Sequence, residues 1–134
     1  MISVIYGKKG SGKTQRIMDA ANAAYEKASG QVIFITDNNN SLGVNANIKF
    51  INVAEYGVRN TYELAGFIKG MISTNFDIQA VFIDGLTRLL ASVEADKLKP
   101  IFDTMEKFAD VEFMATVSAD KVPPYLEKYI VVKD

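Results

Sequence analysis

One stretch near the start of the chain constrains its fold more than any other. Residues 6–14 read YGKKGSGKT and follow directly on the apolar run MISVI. Gly7, Gly12, Lys13 and Thr14 fit G-x-x-x-x-G-K-[ST] without a mismatch, the spacing of a phosphate-binding loop. With glycine near 7% of average composition, chance gives this pattern in a chain of this length roughly a few times per thousand. A flexible glycine turn with solvated lysines is therefore the weaker reading.

The chemistry needs these residue types in this order. Glycines let the backbone fold so closely that several N–H groups point into one concavity, a nest for phosphate oxygens. A helix starting near Lys13 adds its positive end. Lys13 can reach the β- and γ-phosphates as a point charge, and the Thr14 hydroxyl can ligate Mg²⁺. The candidate nucleotide cradle is thus Gly7, Lys8, Lys9, Gly10, Ser11, Gly12, Lys13 and Thr14. Lys8 and Lys9 occupy variable positions, where phosphate contact and simple solvation are equally open.

Such a loop must leave a strand and enter a helix. The run ISVIY (2–6) reads as a short buried strand, and from Lys13 onward Ile17, Ala20, Ala21, Ala24, Tyr25 and Ala28 recur at helical spacing until Gly30. QVIFIT (31–36) is a second strand, closed by the polar loop DNNNSLG, and IKFINV (48–53) a third. Asn60 with Glu63 three residues later resembles a capping box, and Leu64, Phe67, Ile68, Met71 and Ile72 form a core stripe behind it. QAVFID (79–84) is the fourth strand, followed by a short helix in LTRLLAS and another over 98–109 with Pro100 near its start. VEFMATV (111–117) and KYIVVK (128–133) supply two last strands, the second an edge strand after a turn. Strands alternate with helices and no Gly/Pro/Ser-rich linker divides the chain. The pattern predicts a single domain over 1–134, a three-layer α/β/α sandwich with a mainly parallel sheet.

Composition removes whole mechanisms. The 134 residues contain no cysteine and no histidine. That excludes disulfides, thiolate nucleophiles, cysteine zinc sites, imidazole bases and imidazole metal ligands. What remains is carboxylates, Lys, Arg, hydroxyls and backbone amides, a set suited to phosphate and Mg²⁺ chemistry. The net charge of −1 gives no basic field to support a nucleic-acid partner. No signal peptide is read at the start, and the longest apolar stretches are far too short to span a bilayer. The expected location is the cytoplasm, with no membrane partner.

A phosphate loop needs a second Mg²⁺ anchor at a neighbouring strand end, commonly an aspartate after an apolar run. AVFIDG supplies Asp84, and its bland alternative is a turn residue before Gly85. With loop and aspartate together, the chain resembles the P-loop NTPases, and its element order is similar to the RecA-like ATPase core over residues 1–118. The stretch IKFINV…TYELAGFIKGMI…VFIDGLTRLL resembles the part of that family leading into and past the Walker B strand. Type II thymidine kinases share such a core. They carry a cysteine zinc ribbon and a lasso segment, and neither is legible here. The resemblance implies ATP and Mg²⁺ as ligands, with Thr14 and Asp84 holding the metal. The absence of an N-K-x-D stretch favours ATP over GTP.

The catalytic part is thinner. Hydrolysis needs a group that orients or deprotonates water. Gly85 stands where many ATPases carry a glutamate directly after the Walker B aspartate. RecA-like enzymes commonly place a glutamate just past the second strand. Asp37, heading DNNN, is the best candidate base at that point, against the reading of a loop-initiating aspartate. Glu55 is a poorer second. The family's polar sensor beside the loop corresponds to Thr116, Ser118 or Asp120, and Ser118 is preferred. Among the three arginines (Arg16, Arg59 and Arg88), Arg59 and Arg88 are candidate fingers, though an exposed surface arginine is the simpler reading of each. The resemblance otherwise implies a homo-oligomer or a protein partner that supplies the arginine. Three functions follow: an ATP·Mg²⁺-binding protein with slow hydrolysis, a nucleotide-gated binding module that does not hydrolyse, and a small-molecule phosphotransferase.

Overall fold

A computed structural model describes residues 1–91 and 93–133 of the chain. The apolar runs become strands β1 (Ile2–Tyr6), β2 (Gln31–Thr36), β3 (Lys49–Asn52), β4 (Ile78–Ile83), β5 (Glu112–Val117) and β6 (Ile130–Lys133). Among the described residues they form one sheet in the order β3-β2-β4-β5-β1-β6, with every neighbouring pair parallel. Central strands of a parallel sheet are covered on both faces, so they read as continuous apolar runs rather than alternating ones. Val32, Ile33, Phe34 and Ile35 of β2 are all buried for that reason.

Parallel neighbours require crossovers, supplied by helices except between β2 and β3, which the loop over 37–48 joins. Helix α1 (Lys13–Lys27) covers one face, where Ile17, Met18 and Ala21 pack on Ile5, Val32, Phe34, Ala80 and Phe82. The opposite face carries α2 (Thr61–Ser73), α3 (Leu86–Leu89) and α4 (Lys99–Met105). There Leu64, Ile68, Ile72, Ile101, Phe102 and Met105 bury against Ile33, Ile35, Val81, Ile83, Phe113 and Ala115. The architecture is the three-layer α/β/α sandwich with a parallel sheet.

Local chemistry explains where the elements begin. The Asn60 side chain accepts the Glu63 N–H at 2.9 Å, while Glu63 Oε1 accepts the N–H of Arg59. Two donors at the start of α2 are satisfied reciprocally, one residue displaced from the usual box. Leu64, Ile68 and Ile72 of the expected stripe are fully buried; Phe67 and Met71 are half-buried at its margin. The third strand is shorter than the run 48–53, because Asn52 caps a 3₁₀ turn over Val53–Tyr56 through a bond from the Ala54 N–H. The 98–109 helix also contracts to Lys99–Met105, preceded by a 3₁₀ turn over Ala95–Leu98. The last strand starts at Ile130 because Pro124–Tyr129 winds as 3₁₀ helix. Pro124 cannot donate to a sheet ladder, and a helical first turn tolerates it.

The all-parallel sheet has one consequence for chemistry. The carboxyl ends of β1, β2, β4 and β5 emerge along a single edge, where ligands of open α/β sheets bind. Gly7, Asp37, Asp84 and Ser118 each lie at or just beyond one of those ends.

Candidate functional site

The Gly7–Thr14 loop leaves β1 with the Gly7 N–H held by Val117 O at 3.2 Å, the last carbonyl of β5. Gly10 and Gly12 have φ of 85° and 87°, a left-handed backbone that side chains bearing a Cβ adopt only under strain. Gly12 is also the N-cap of α1 and caps it with no side chain, so the first turn of the helix faces the loop. Lys13 is buried, and its ammonium folds back to donate to Lys8 O at 2.6 Å and to Ser11 Oγ at 3.4 Å.

Across the loop, the Asp84 carboxylate is buried and held by hydroxyls on both oxygens. Thr14 Oγ1 donates to Oδ2 at 3.0 Å, and Thr116 Oγ1 donates to Oδ1 at 2.8 Å. Thr116 in turn accepts the Gly85 N–H at 2.6 Å. The β4–β5 register sets Ile83 beside Ala115, so the next residues along, Asp84 and Thr116, meet at the sheet edge. A cleft of about 640 Å³ opens above these groups, lined among others by Lys9, Gly12, Lys13, Thr14, Arg88 and Ser118. Gly10, Asp84, Gly85 and Thr116 also border it.

Arg88 dominates the rim. Its Nε donates to both Asp37 oxygens at 3.2 and 3.0 Å, and its Nη2 to Asp37 Oδ1 at 3.1 Å. Nη2 also meets Asp84 O at 3.3 Å and lies 3.9 Å from Asp84 Oδ2. Burial alone would raise the Asp37 carboxyl, but the hydrogen bonds and charge of Arg88 outweigh it and hold the carboxyl below its ordinary 3.8. The same hydrogen bonds from Arg88 to Asp37 raise the guanidinium. Gly85 makes room for this side chain. A Cβ there would lie 2.6 Å from Arg88 Cζ, on a backbone with φ of 82°.

Thus the fold brings together the Gly7–Thr14 loop, Asp84 and Ser118 along one cleft, and Asp37 reaches it through Arg88. Other sequence candidates lie apart. Glu55 sits in the 3₁₀ turn after β3 and lines a separate groove with Tyr56 and Phe67. Arg59 precedes α2, and its backbone N–H is taken up by Glu63. Asp120 lines a second cavity, of about 650 Å³, that adjoins the cleft through Val93 and Ser118. Two residues carry more than the sequence assigned them. Thr116 contacts Asp84 because the β4–β5 register places it opposite, a relationship no sequence pattern reports. Arg88 is no isolated surface residue, and its place one helical turn beyond Asp84 was the available clue.

Among the described residues, no cluster of three or more Asp or Glu is gathered to hold a metal. The oxygens of Thr14 and Asp84 nevertheless suit Mg²⁺. That ion takes hard oxygen ligands and usually keeps waters and substrate phosphates alongside one or two protein groups.

Fold and edge geometry together define an α/β protein of RecA-like topology. No protein-family model matches the sequence, and no curated protein does. Among solved structures, the chain is similar to the flagellar accessory protein FlaH from Methanocaldococcus jannaschii, with a TM-score of 0.59 and 15% sequence identity. The match covers 95% of this chain but 65% of that one, so the chain spans less than two thirds of FlaH. At that identity the likeness concerns the fold.

Proposed function

We propose that the protein binds ATP·Mg²⁺ in the cleft beneath Arg88 and hydrolyses it slowly. The observation that carries this reading is the convergence of Lys13, Thr14 and Asp84 on one cleft, from two segments 70 residues apart in sequence. The backbone amides of Gly7–Thr14 would cradle the phosphates, and Lys13 would exchange its bond to Lys8 O for phosphate oxygens. Thr14 and Asp84 would hold Mg²⁺ directly or through water, and the ion would neutralise charge on the β- and γ-phosphates. Ser118, just beyond the end of β5 and lining the cleft, would contact the γ-phosphate.

Water activation is the weak link, and it sets the rate. Asp37 is the candidate base, yet its three hydrogen bonds from Arg88 lower its proton affinity and tie its lone pairs. General-base assistance is typically worth 10²–10⁴-fold, so turnover should fall well below the usual median of about 10 s⁻¹. The same ion pair, with Gly85 after Asp84, favours the second reading, a nucleotide-gated module that binds without hydrolysing.

Phosphate release by purified protein, against Lys13→Ala as the blank, separates the two. Slow release that Lys13→Ala abolishes supports hydrolysis. Release that rises steeply with protein concentration would mean that self-assembly supplies an arginine. Binding without any release selects the gated module, and brisk turnover by dilute monomer contradicts both.

A further inference from the structure

We propose that Arg88 is a γ-phosphate ligand supplied within the chain, parked on Asp37 until a nucleoside triphosphate draws it away. This inference rests on the ATP-binding reading above and goes beyond it by assigning the discriminating contact between triphosphate and diphosphate.

Three observations carry it. The guanidinium borders the same cleft as Lys13 and Thr14, and its Nη2 is 3.9 Å from Asp84 Oδ2. That oxygen is 3.0 Å from the Thr14 hydroxyl, so the guanidinium lies one contact beyond the pair expected to hold Mg²⁺. The root of the side chain is fixed, because Leu86 and Leu89 of α3 are buried on either side of it. Only the side chain has to move. Gly85 lets the guanidinium lie against the backbone here, since a Cβ at that position would fall 2.6 Å from Arg88 Cζ.

The Asp37 pair is a weak resting place. Arg88 keeps 48% of its side chain exposed, and ion pairs with that access to solvent contribute little. A terminal phosphate offers more negative charge and three acceptor oxygens, and the planar guanidinium fork suits it. Moving there would place positive charge where the transferring phosphoryl group accumulates negative charge. Lacking a γ-phosphate, ADP would leave Arg88 on Asp37.

The test is nucleotide affinity, measured by calorimetric titration with a non-hydrolysable ATP analogue and with ADP, both with Mg²⁺. Arg88→Ala should weaken the triphosphate about ten- to hundredfold, the scale of a lost charge-assisted contact, and leave ADP within about twofold. Arg88→Lys, which keeps the charge without the fork, should fall between and carries the test if the alanine variant does not fold. Asp37→Asn, by freeing the arginine, should hold or tighten triphosphate binding. If Arg88 were only a tether between the ends of β2 and β4, Arg88→Ala and Asp37→Asn would shift both nucleotides alike. That result, or no effect of Arg88→Ala on either nucleotide, overturns the inference and leaves ATP binding intact. Failure of the unaltered protein to bind either nucleotide overturns both.

Discussion

Thr116 gives its hydroxyl proton to Asp84 Oδ1 at 2.8 Å and takes the N–H of Gly85 at 2.6 Å, so one buried side chain fixes two consecutive residues at the end of β4. Thr116→Val keeps the shape and strips both bonds. It leaves a buried N–H and a carboxylate oxygen short of a partner, at a cost of about 1–3 kcal/mol. Denaturant unfolding should register that loss, and Thr116→Ser should restore most of it. A valine variant as stable as the parent would mean that Asp84 is held by other means.

The Asp37–Arg88 pair predicts an acid-side signature. The folded carboxyl lies below its ordinary 3.8, so its contribution is fully present above that value and is lost as pH falls through the lowered one. The pair is partly exposed, which limits it to about 1 kcal/mol or less. Unfolding free energies of the parent and Asp37→Asn should therefore differ at pH 6 and converge below pH 3.8. A gap that persists unchanged to lower pH would remove the charge from the explanation.

Tyr129 predicts the alkaline side. Burial, then its 2.8 Å hydrogen bond to Glu106, push the phenol up to about 12 from an ordinary 10. The unfolded chain loses that proton first, so the contribution is complete below pH 10 and disappears as pH rises toward 12. Tyr129→Phe should flatten the fall in stability across that window, as followed by circular dichroism in urea. An identical fall in the variant would assign the alkaline loss to other groups.

Two glycines should respond in opposite directions to the same substitution. A Cβ on Gly30 would lie 2.3 Å from the backbone oxygen of Asp77, which the Gln31 N–H holds at 2.7 Å. Neither side can yield cheaply, and Gly30→Ala should cost about 1–3 kcal/mol. Gly66, in the middle of α2, has nothing within 4 Å of its Cβ position, so Gly66→Ala should stabilise by about 1 kcal/mol. Thermal melting of both variants checks the pair, and a shift in the same direction would contradict the packing described.

Most of the fold was legible because its signals are local. A glycine-rich loop between an apolar run and a helical stripe, an asparagine cap with a glutamate three residues on, and apolar runs buried on both faces all lie within short windows. Element ends were less legible. Asn52 closes β3 through a bond to its own downstream backbone, and an apolar pattern over 48–53 does not report it. The site divided along the same line. Gly7–Thr14 and Asp84 announce themselves by motif. Thr116 acquires its role from strand register, and Arg88 from a contact with Asp37, 51 residues away. A side chain's partner across the sheet edge depends on strand order, which periodicity alone does not contain.

The central claim is that Lys13, Thr14 and Asp84 form one binding site for ATP·Mg²⁺. Calorimetric titration of the unaltered protein and Lys13→Ala with ATP, in the presence and absence of Mg²⁺, tests it most directly. The account predicts saturable binding at one site per chain, strengthened by Mg²⁺ and largely lost in Lys13→Ala while the variant stays folded. Affinity that is the same in Lys13→Ala, or no binding by the unaltered protein, would contradict it.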